Sequence, residues 1–120
     1  MNNQTTFYNK LVRDKIPSII REEGRVPNVR HLQHEEYLKC LANKLVEEAQ
    51  EVCSAHESNG DTIGEIADLV EVLSVFMREL NIKTMQVQQI RSDKNNKKGS
   101  FDEKAFLISV ENVNTTAHSN

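Results

Sequence analysis

The sequence predicts a mainly helical protein with one small two-stranded β ribbon. Between positions 34 and 55, apolar residues recur at steps of three, four and seven, as they do along one face of a helix. Ten of the fifteen residues from 63 to 77 are apolar, a density typical of a buried helix. The segment 106–110 alternates like a short strand, and its predicted partner is the segment 27–33.

The first half of the chain predicts two helices joined by an extended segment. A short helix is expected from about Pro17 to Glu23, because proline suits a first helical turn and Gly24 follows. Pro27 excludes a helix over 27–33. The long second helix is expected from about His34 to Ala55.

The second half predicts a turn at 57–61, "ESNGD", followed by a helix over about Thr62–Leu80. A further helix is expected from Lys83 to about Arg91, and 92–100, "SDKNNKKGS", is expected to be a basic loop. The predicted core consists of six side chains from the second and third helices: Leu38, Leu41, Leu45, Ile66, Val70 and Leu73.

At 120 residues the chain is expected to be one domain, ordered over about 8–111, with flexible tails at 1–6 and 112–120. Cys40 and Cys53 lie thirteen residues apart in one predicted helix, about 20 Å, which is too far for a disulfide. Free thiols predict a reducing compartment. No signal peptide and no apolar run of about 20 residues is found, so a cytoplasmic protein without membrane contact is expected.

Negative charge is concentrated in the middle of the chain. Positions 45–77 contain no Lys or Arg but eight acids: Glu47, Glu48, Glu51, Glu57, Asp61, Glu65, Asp68 and Glu71. The remaining positions carry fifteen basic and ten acidic residues. This division predicts an acidic centre between basic segments and disfavours a nucleic acid polymer as partner, although charge runs also occur simply to solvate helices.

Four of these acids form two pairs at helical spacing. Glu48 with Glu51, and Glu65 with Asp68, are three residues apart, so each pair shares one face of its helix. The short turn between the helices makes them antiparallel neighbours. Glu48 also takes a position that the apolar stripe of the second helix leaves for an apolar residue. The four carboxylates are therefore expected to converge, and burying them without a partner would be costly.

Protonation, access to water or a shared cation could relieve that repulsion. Neither helix face is expected to offer a protein cation, which favours a metal, and an all-oxygen site suits Mg²⁺ first and Mn²⁺ second. Mg²⁺ completes its coordination with water and substrate phosphates. Six cations outside the acidic stretch could hold the remaining phosphate oxygens, unless they only form surface ion pairs: Lys10, Arg13, Lys15, Lys94, Lys97 and Lys98. The pattern fits metal-assisted attack of water on phosphorus.

The acidic motifs also carry a family resemblance. "EEAQE" at 47–51, followed after thirteen residues by "EIAD" at 65–68, resembles the EExxE…ExxD signature of the MazG-like all-α nucleoside triphosphate pyrophosphohydrolases. "YNKLVRDKIP" at 8–17 resembles the opening of one branch, related to the phosphoribosyl-ATP pyrophosphohydrolases and described as house-cleaning enzymes. "KKGSFDEKAFL" at 97–107 is similar to the closing segment of that branch, so the resemblance covers about 8–111.

The resemblance implies a MazG-like fold and Mg²⁺-dependent cleavage between the α and β phosphates of a non-standard nucleotide, giving a monophosphate and pyrophosphate. It also implies a homodimer or homotetramer. By motif position, the metal ligands would be Glu48, Glu51, Glu65 and Asp68. Glu47 would orient or deprotonate the attacking water, a role that Glu51 could equally take. The base and sugar of the substrate do not follow from the motifs.

Two other interpretations stay open at this point. Thr62 to Glu65 also fits a capping box, in which Glu65 would only satisfy the backbone at the start of its helix. The whole chain could instead be a non-catalytic helical module that binds a nucleotide or a partner, with acids that cap and solvate helices. The apolar width of 62–80 predicts an oligomer, because one chain has few helices to cover it.

Overall fold

The computed structural model describes residues 4–114, and all regular structure in that range is helical. Four helices follow one another: α1 (Ile16–Glu22), α2 (His34–Glu57), α3 (Thr62–Glu79) and α4 (Thr84–Lys98). The prediction of an all-α protein is confirmed. Most of the two predicted tails, 1–3 and 115–120, lies outside the described residues. No helix in the described part of the chain is long and apolar enough to cross a membrane.

The chain forms two compact units, Met1–Thr84 and Met85–Asn120. The first contains α1, α2 and α3, and the second contains nearly all of α4 and the segment after it. The interpretation of the whole chain as a single domain stays a prediction. Cys40 and Cys53 both lie in α2 and are free thiols, as their spacing predicted.

A residue with left-handed backbone geometry follows each helix. These residues are Gly24 (φ 82°), Asn59 (φ 56°), Asn81 (φ 57°) and Gly99 (φ 79°). After α3, this geometry lets the Ile82 amide donate to the Met77 carbonyl at 2.8 Å and the Asn81 amide donate to the Arg78 carbonyl at 3.1 Å. Both bonds satisfy carbonyls that would otherwise end the helix without partners.

The prediction of a basic loop at 92–100 is wrong for most of that segment, because α4 continues to Lys98. Between Arg91 and Lys98 the chain contains no Pro or Gly, and Gln, Lys and Arg in α4 are good helix formers. The helix ends only where Gly99 adopts a left-handed conformation. A polar run is therefore no signal for a loop unless a helix-breaking residue accompanies it.

The predicted ribbon is absent from the described residues, since no strand occurs between positions 4 and 114. Pro27 has no backbone N–H to give to a strand ladder. Phe106 and Ile108 are both exposed, so the alternation at 106–110 has no packed surface behind it. A two-stranded ribbon without such a surface is marginally stable.

Helices α2 and α3 form the main helix pair of the first unit. His34 Nδ1, at the start of α2, lies 3.9 Å from Glu79 Oε2, at the end of α3, so the two helices are antiparallel. Leu41 of α2 is buried, and Leu38 and Leu45 on the same face are half-buried. The apolar stripe predicted for α2 does face the helix pair.

The predicted core of α3 requires a correction. Ile66, Val70 and Leu73 are about half exposed, whereas the half-buried apolar side chains of this helix are Leu69, Val72, Val75, Phe76 and Met77. Helix α3 is apolar on two faces, and only one of them packs against α2. Periodicity identified the apolar positions but could not tell which face the chain itself covers.

Leu41 is the side chain whose truncation should most affect the stability of the helix pair. It is 4% exposed, and Leu41→Ala should lower the free energy of unfolding by about 2–5 kcal/mol through lost burial and the resulting cavity. Urea denaturation would measure the change. Val46→Ala, at an exposed position of the same helix, is the control, and equal costs for the two variants would contradict the burial of Leu41.

Candidate metal site

Three carboxylates from two helices meet in the first unit. One oxygen from each of Glu48, Glu65 and Asp68 lies within 4.8 Å of the others. Glu48 comes from the middle of α2, and the other two come from consecutive turns at the start of α3. We call these three residues the acidic cluster. The antiparallel packing of α2 against α3 places them together, as the paired spacing predicted.

Glu48 is the buried member of the acidic cluster. It is 8% exposed, which is exceptional for a carboxylate and matches its place in the apolar stripe of α2. Its nearest cation is Lys44, whose Nζ lies 3.6 Å from Glu48 Oε1 and 3.3 Å from Glu47 Oε1. The Lys44 side chain is itself only 18% exposed, so this ion pair is largely shielded from water.

The N-terminal segment brings two further cations to the acids. Arg13 Nη2 donates a hydrogen bond of 2.6 Å to Asp68 Oδ1, and this bond raises the pKa of Arg13 above its ordinary value. Lys10 Nζ lies 4.0 Å from Glu47 Oε1. The expectation that neither helix face offers a protein cation is wrong because of Lys44, which lies on α2 and pairs with Glu47 and Glu48. Segment 8–15 contacts both helices through its basic side chains.

Glu65 differs from its neighbours because it has no cationic partner among the described residues. Partial burial raises the pKa of Glu65 above its ordinary value, and the negative charges of Glu51, Asp68, Glu48 and Asp61 raise it further. The site therefore holds more negative charge than its own cations neutralise. A carboxylate in this state favours either a proton or an added cation.

Asp61 fixes where α3 begins. Its side-chain Oδ1 accepts a hydrogen bond of 2.9 Å from the Gly64 amide, as an N-cap residue does. A Cβ at position 64 would overlap the Asp61 carboxylate, so glycine is needed there for this cap. The cap at the start of α3 is therefore Asp61 and not the predicted capping box from Thr62 to Glu65. Glu65 is left available to the acidic cluster.

The other predicted metal and catalytic acids lie beside the acidic cluster without joining it. Glu51 is exposed on α2, one turn after Glu48, and is close enough to influence the pKa of Glu65. Glu47 is half-buried between Lys10 and Lys44. The metal role of Glu51 and the role of either residue toward water stay predictions.

The predicted phosphate-binding cations are divided between the two units. Lys10, Arg13 and Lys15 belong to the first, where Lys10 and Arg13 contact acids and Lys15 is the exposed residue preceding α1. Lys94, Lys97 and Lys98 lie exposed on the last two turns of α4 in the second. Phosphate binding by all six stays a prediction.

Lys44 is the residue of this site that sequence reasoning missed. It precedes the acidic stretch at 45–77 by one position, so a count that begins at Leu45 leaves it out. Its spacing to Glu47 and Glu48, three and four residues, is nevertheless the spacing of helical ion pairs. That spacing was the available signal.

The donor set fits a hard divalent cation. Three carboxylate oxygens within 4.8 Å of one another could share a cation, and oxygen ligands are the kind that Mg²⁺ and Mn²⁺ favour. Among residues 4–114, neither a cysteine nor a histidine belongs to the cluster, so this part of the chain does not supply the ligands that zinc favours. The fold and the site together define an all-helical protein with an acidic cluster between two antiparallel helices.

The chain is similar to a known protein over part of its length. An uncharacterised protein of Mycolicibacterium smegmatis (strain ATCC 700084 / mc(2)155) is 48% identical over 46 residues, which are 38% of this chain and 47% of that protein. The chain thus matches less than half of the length of that relative. No family model matches the sequence. No solved structure matches it either.

Proposed function

We propose that the protein is a Mg²⁺-dependent nucleoside triphosphate pyrophosphohydrolase with a MazG-like fold, which cleaves between the α and β phosphates of non-standard nucleotides. The observation that carries the proposal is the acidic cluster, in which Glu48, Glu65 and Asp68 converge from two helices. The raised pKa of Glu65 supports it, because a metal would relieve the repulsion that this carboxylate experiences.

Mg²⁺ bound there would neutralise phosphate oxygens and lower the pKa of a bound water. The side chains of the cluster would hold it, with Glu51 as a further ligand one turn along α2. Glu47 would accept the proton of the attacking water, and its contact with Lys44 at 3.3 Å would keep its side chain in place. Phosphate oxygens of the substrate would meet the cations of segment 8–15.

A panel of canonical and modified nucleoside triphosphates tests the proposed reaction. We expect release of pyrophosphate and the matching monophosphate from at least one compound when Mg²⁺ is present, and no release when it is chelated. Phosphorus NMR distinguishes cleavage between the α and β phosphates from loss of the γ phosphate. Release of orthophosphate alone would exclude the proposed reaction.

One observation favours a second candidate, a non-catalytic helical module. Lys44 and Arg13 already pair with two of the three clustered carboxylates, so much of the charge is balanced within the chain. In such a module the ion pairs would hold segment 8–15 against the helix pair, and no metal would be required. Glu65, which has no cationic partner among the described residues, is the residue that this interpretation leaves unexplained.

The uncovered face of α3 supports a homodimer or homotetramer. Five large apolar side chains recur along it at steps of three, four and seven: Ile63, Ile66, Val70, Leu73 and Leu80. Each is exposed in the single chain by 41% or more. A large contiguous apolar patch on a protein surface marks an interaction site. In a two-fold symmetric dimer, this stripe would pack against the same stripe on α3 of a second copy.

The double variant Val70→Glu/Leu73→Glu should therefore shift the protein from oligomer to monomer. Two charges in the middle of an apolar interface would lose their hydration without gaining partners. Sedimentation velocity at micromolar concentration would measure the state. Met85→Glu/Ile90→Glu, at exposed positions of α4, is the matched control. A wild-type protein that sediments as a monomer would exclude the proposed interface.

A further inference from the structure

Arg13 occupies a position that conflicts with the proposed metal. Its guanidinium donates a hydrogen bond of 2.6 Å to Asp68, which is one of the three clustered carboxylates. The positive charges of Arg13 and of a divalent ion would compete for the same oxygen-rich side chain. Lys44 differs in this respect, because it is three and four residues from its partners on one helix and reaches the cluster only from the side of α2.

The Arg13–Asp68 pair is built to be exchangeable. The side chains are 60% and 42% exposed, so water and salt weaken their attraction, and exposed pairs of this kind contribute about 0.2–1 kcal/mol. Arg13 lies in the segment that precedes α1, and this segment contains no helix or strand among its described residues. The negative charges of Glu71 and Glu48 also attract the guanidinium, so it can leave Asp68 without leaving the negative field of the site.

We propose that Arg13 is an internal counter-ion of the acidic cluster, which a divalent cation displaces from Asp68 and which then binds a phosphate of the substrate. This inference rests on the proposed function. The guanidinium leaves Asp68 when the metal binds. One positive charge is thereby exchanged for two at this carboxylate. The exchange makes Arg13 available for phosphate only when metal is present, so the metal-free site and the metal-loaded site differ in what they can bind.

Two binding measurements on Arg13→Gln test the exchange. Electron paramagnetic resonance measures free Mn²⁺. We expect the variant to bind Mn²⁺ up to about fivefold more tightly than the wild type, which is the factor that loss of a competing exposed pair of at most about 1 kcal/mol allows. Calorimetry measures the affinity for inorganic tripolyphosphate at saturating Mn²⁺. This affinity should be lower in the variant than in the wild type, which is the opposite of the change in Mn²⁺ affinity. A role in folding alone would not move the two affinities in opposite directions.

Arg30→Gln is the matched control. Arg30 forms an ion pair with Glu36 at the same 2.6 Å, at similar exposure and outside the acidic cluster, and its loss changes the net charge equally. We expect it to leave both affinities unchanged. Equal or weaker Mn²⁺ binding by Arg13→Gln would overturn the exchange, and unchanged tripolyphosphate binding would overturn the transfer to phosphate. A wild-type protein that binds no Mn²⁺ would overturn the metal site itself, and with it the exchange.

Discussion

Glu48→Gln should reduce Mg²⁺-dependent pyrophosphate release by at least about 100-fold, because loss of even an outer partner of a metal site costs about 10–100-fold. Glu48 is the buried carboxylate of the cluster, so water cannot easily replace its oxygen as a ligand. The helices should stay folded, since Lys44 keeps its contact with Glu47 at 3.3 Å. Steady-state assays with saturating nucleotide and circular dichroism would measure both quantities.

Two further variants make this result interpretable. Asp68→Asn should cause a loss of similar size, because it removes a second oxygen of the cluster. Glu57→Gln, which neutralises an exposed acid at the end of α2, should retain full activity. Undiminished turnover by either Glu48→Gln or Asp68→Asn would remove these carboxylates from the proposed ligand set.

Mg²⁺ should stabilise the folded protein, and the stabilisation should disappear at acid pH. A ligand at 100 times its dissociation constant raises the free energy of unfolding by about 2.7 kcal/mol. Glu65 must lose its proton to bind metal, and its pKa is raised above the ordinary value of 4.5 by burial and by the surrounding acids. Protonation in that raised range therefore removes a ligand. Thermal melting with and without MgCl₂, from neutral to acid pH, would measure the effect.

The metal-free protein should respond to pH in the opposite sense. A carboxyl whose pKa is higher in the folded than in the unfolded state stabilises the fold most below 4.5, and this contribution is lost as pH rises through the folded-state value. Glu65→Gln should remove that dependence and raise the melting temperature at neutral pH. It should also abolish the response to Mg²⁺. An unchanged metal response in this variant would exclude Glu65 as a ligand.

The sequence predicted the helix pair and a convergence of four acids, of which Glu48, Glu65 and Asp68 do meet, because both features follow from helical spacing. Glu48 was identifiable because it interrupts an apolar stripe, and its burial confirms that prediction. Glu65 and Asp68 share a face at a spacing of three, and a short turn leaves α3 no direction other than back along α2. These features depend on local periodicity, which one sequence contains in full.

The parts that the sequence did not predict depend on distant contacts. Nothing local indicates that Arg13 would cross 55 positions to reach Asp68. Three residues of the exposed stripe of α3 were predicted as core, namely Ile66, Val70 and Leu73, because hydrophobicity does not record which surface packs against a neighbour within one chain. The end of α4 was missed for a different reason. The Asn and Lys residues suggested a loop, but the helix ends only where Gly99 adopts a left-handed conformation.

The cap at Asp61 determines the rotational phase of everything that follows it in α3. Each residue along a helix turns the next by about 100°. One amino acid inserted between Gly64 and Glu65 would therefore carry both acids of α3 a quarter-turn or more away from Glu48, while every one of those side chains remained in the sequence. The distance from cap to carboxylate is thus as much a part of the site as the carboxylates themselves.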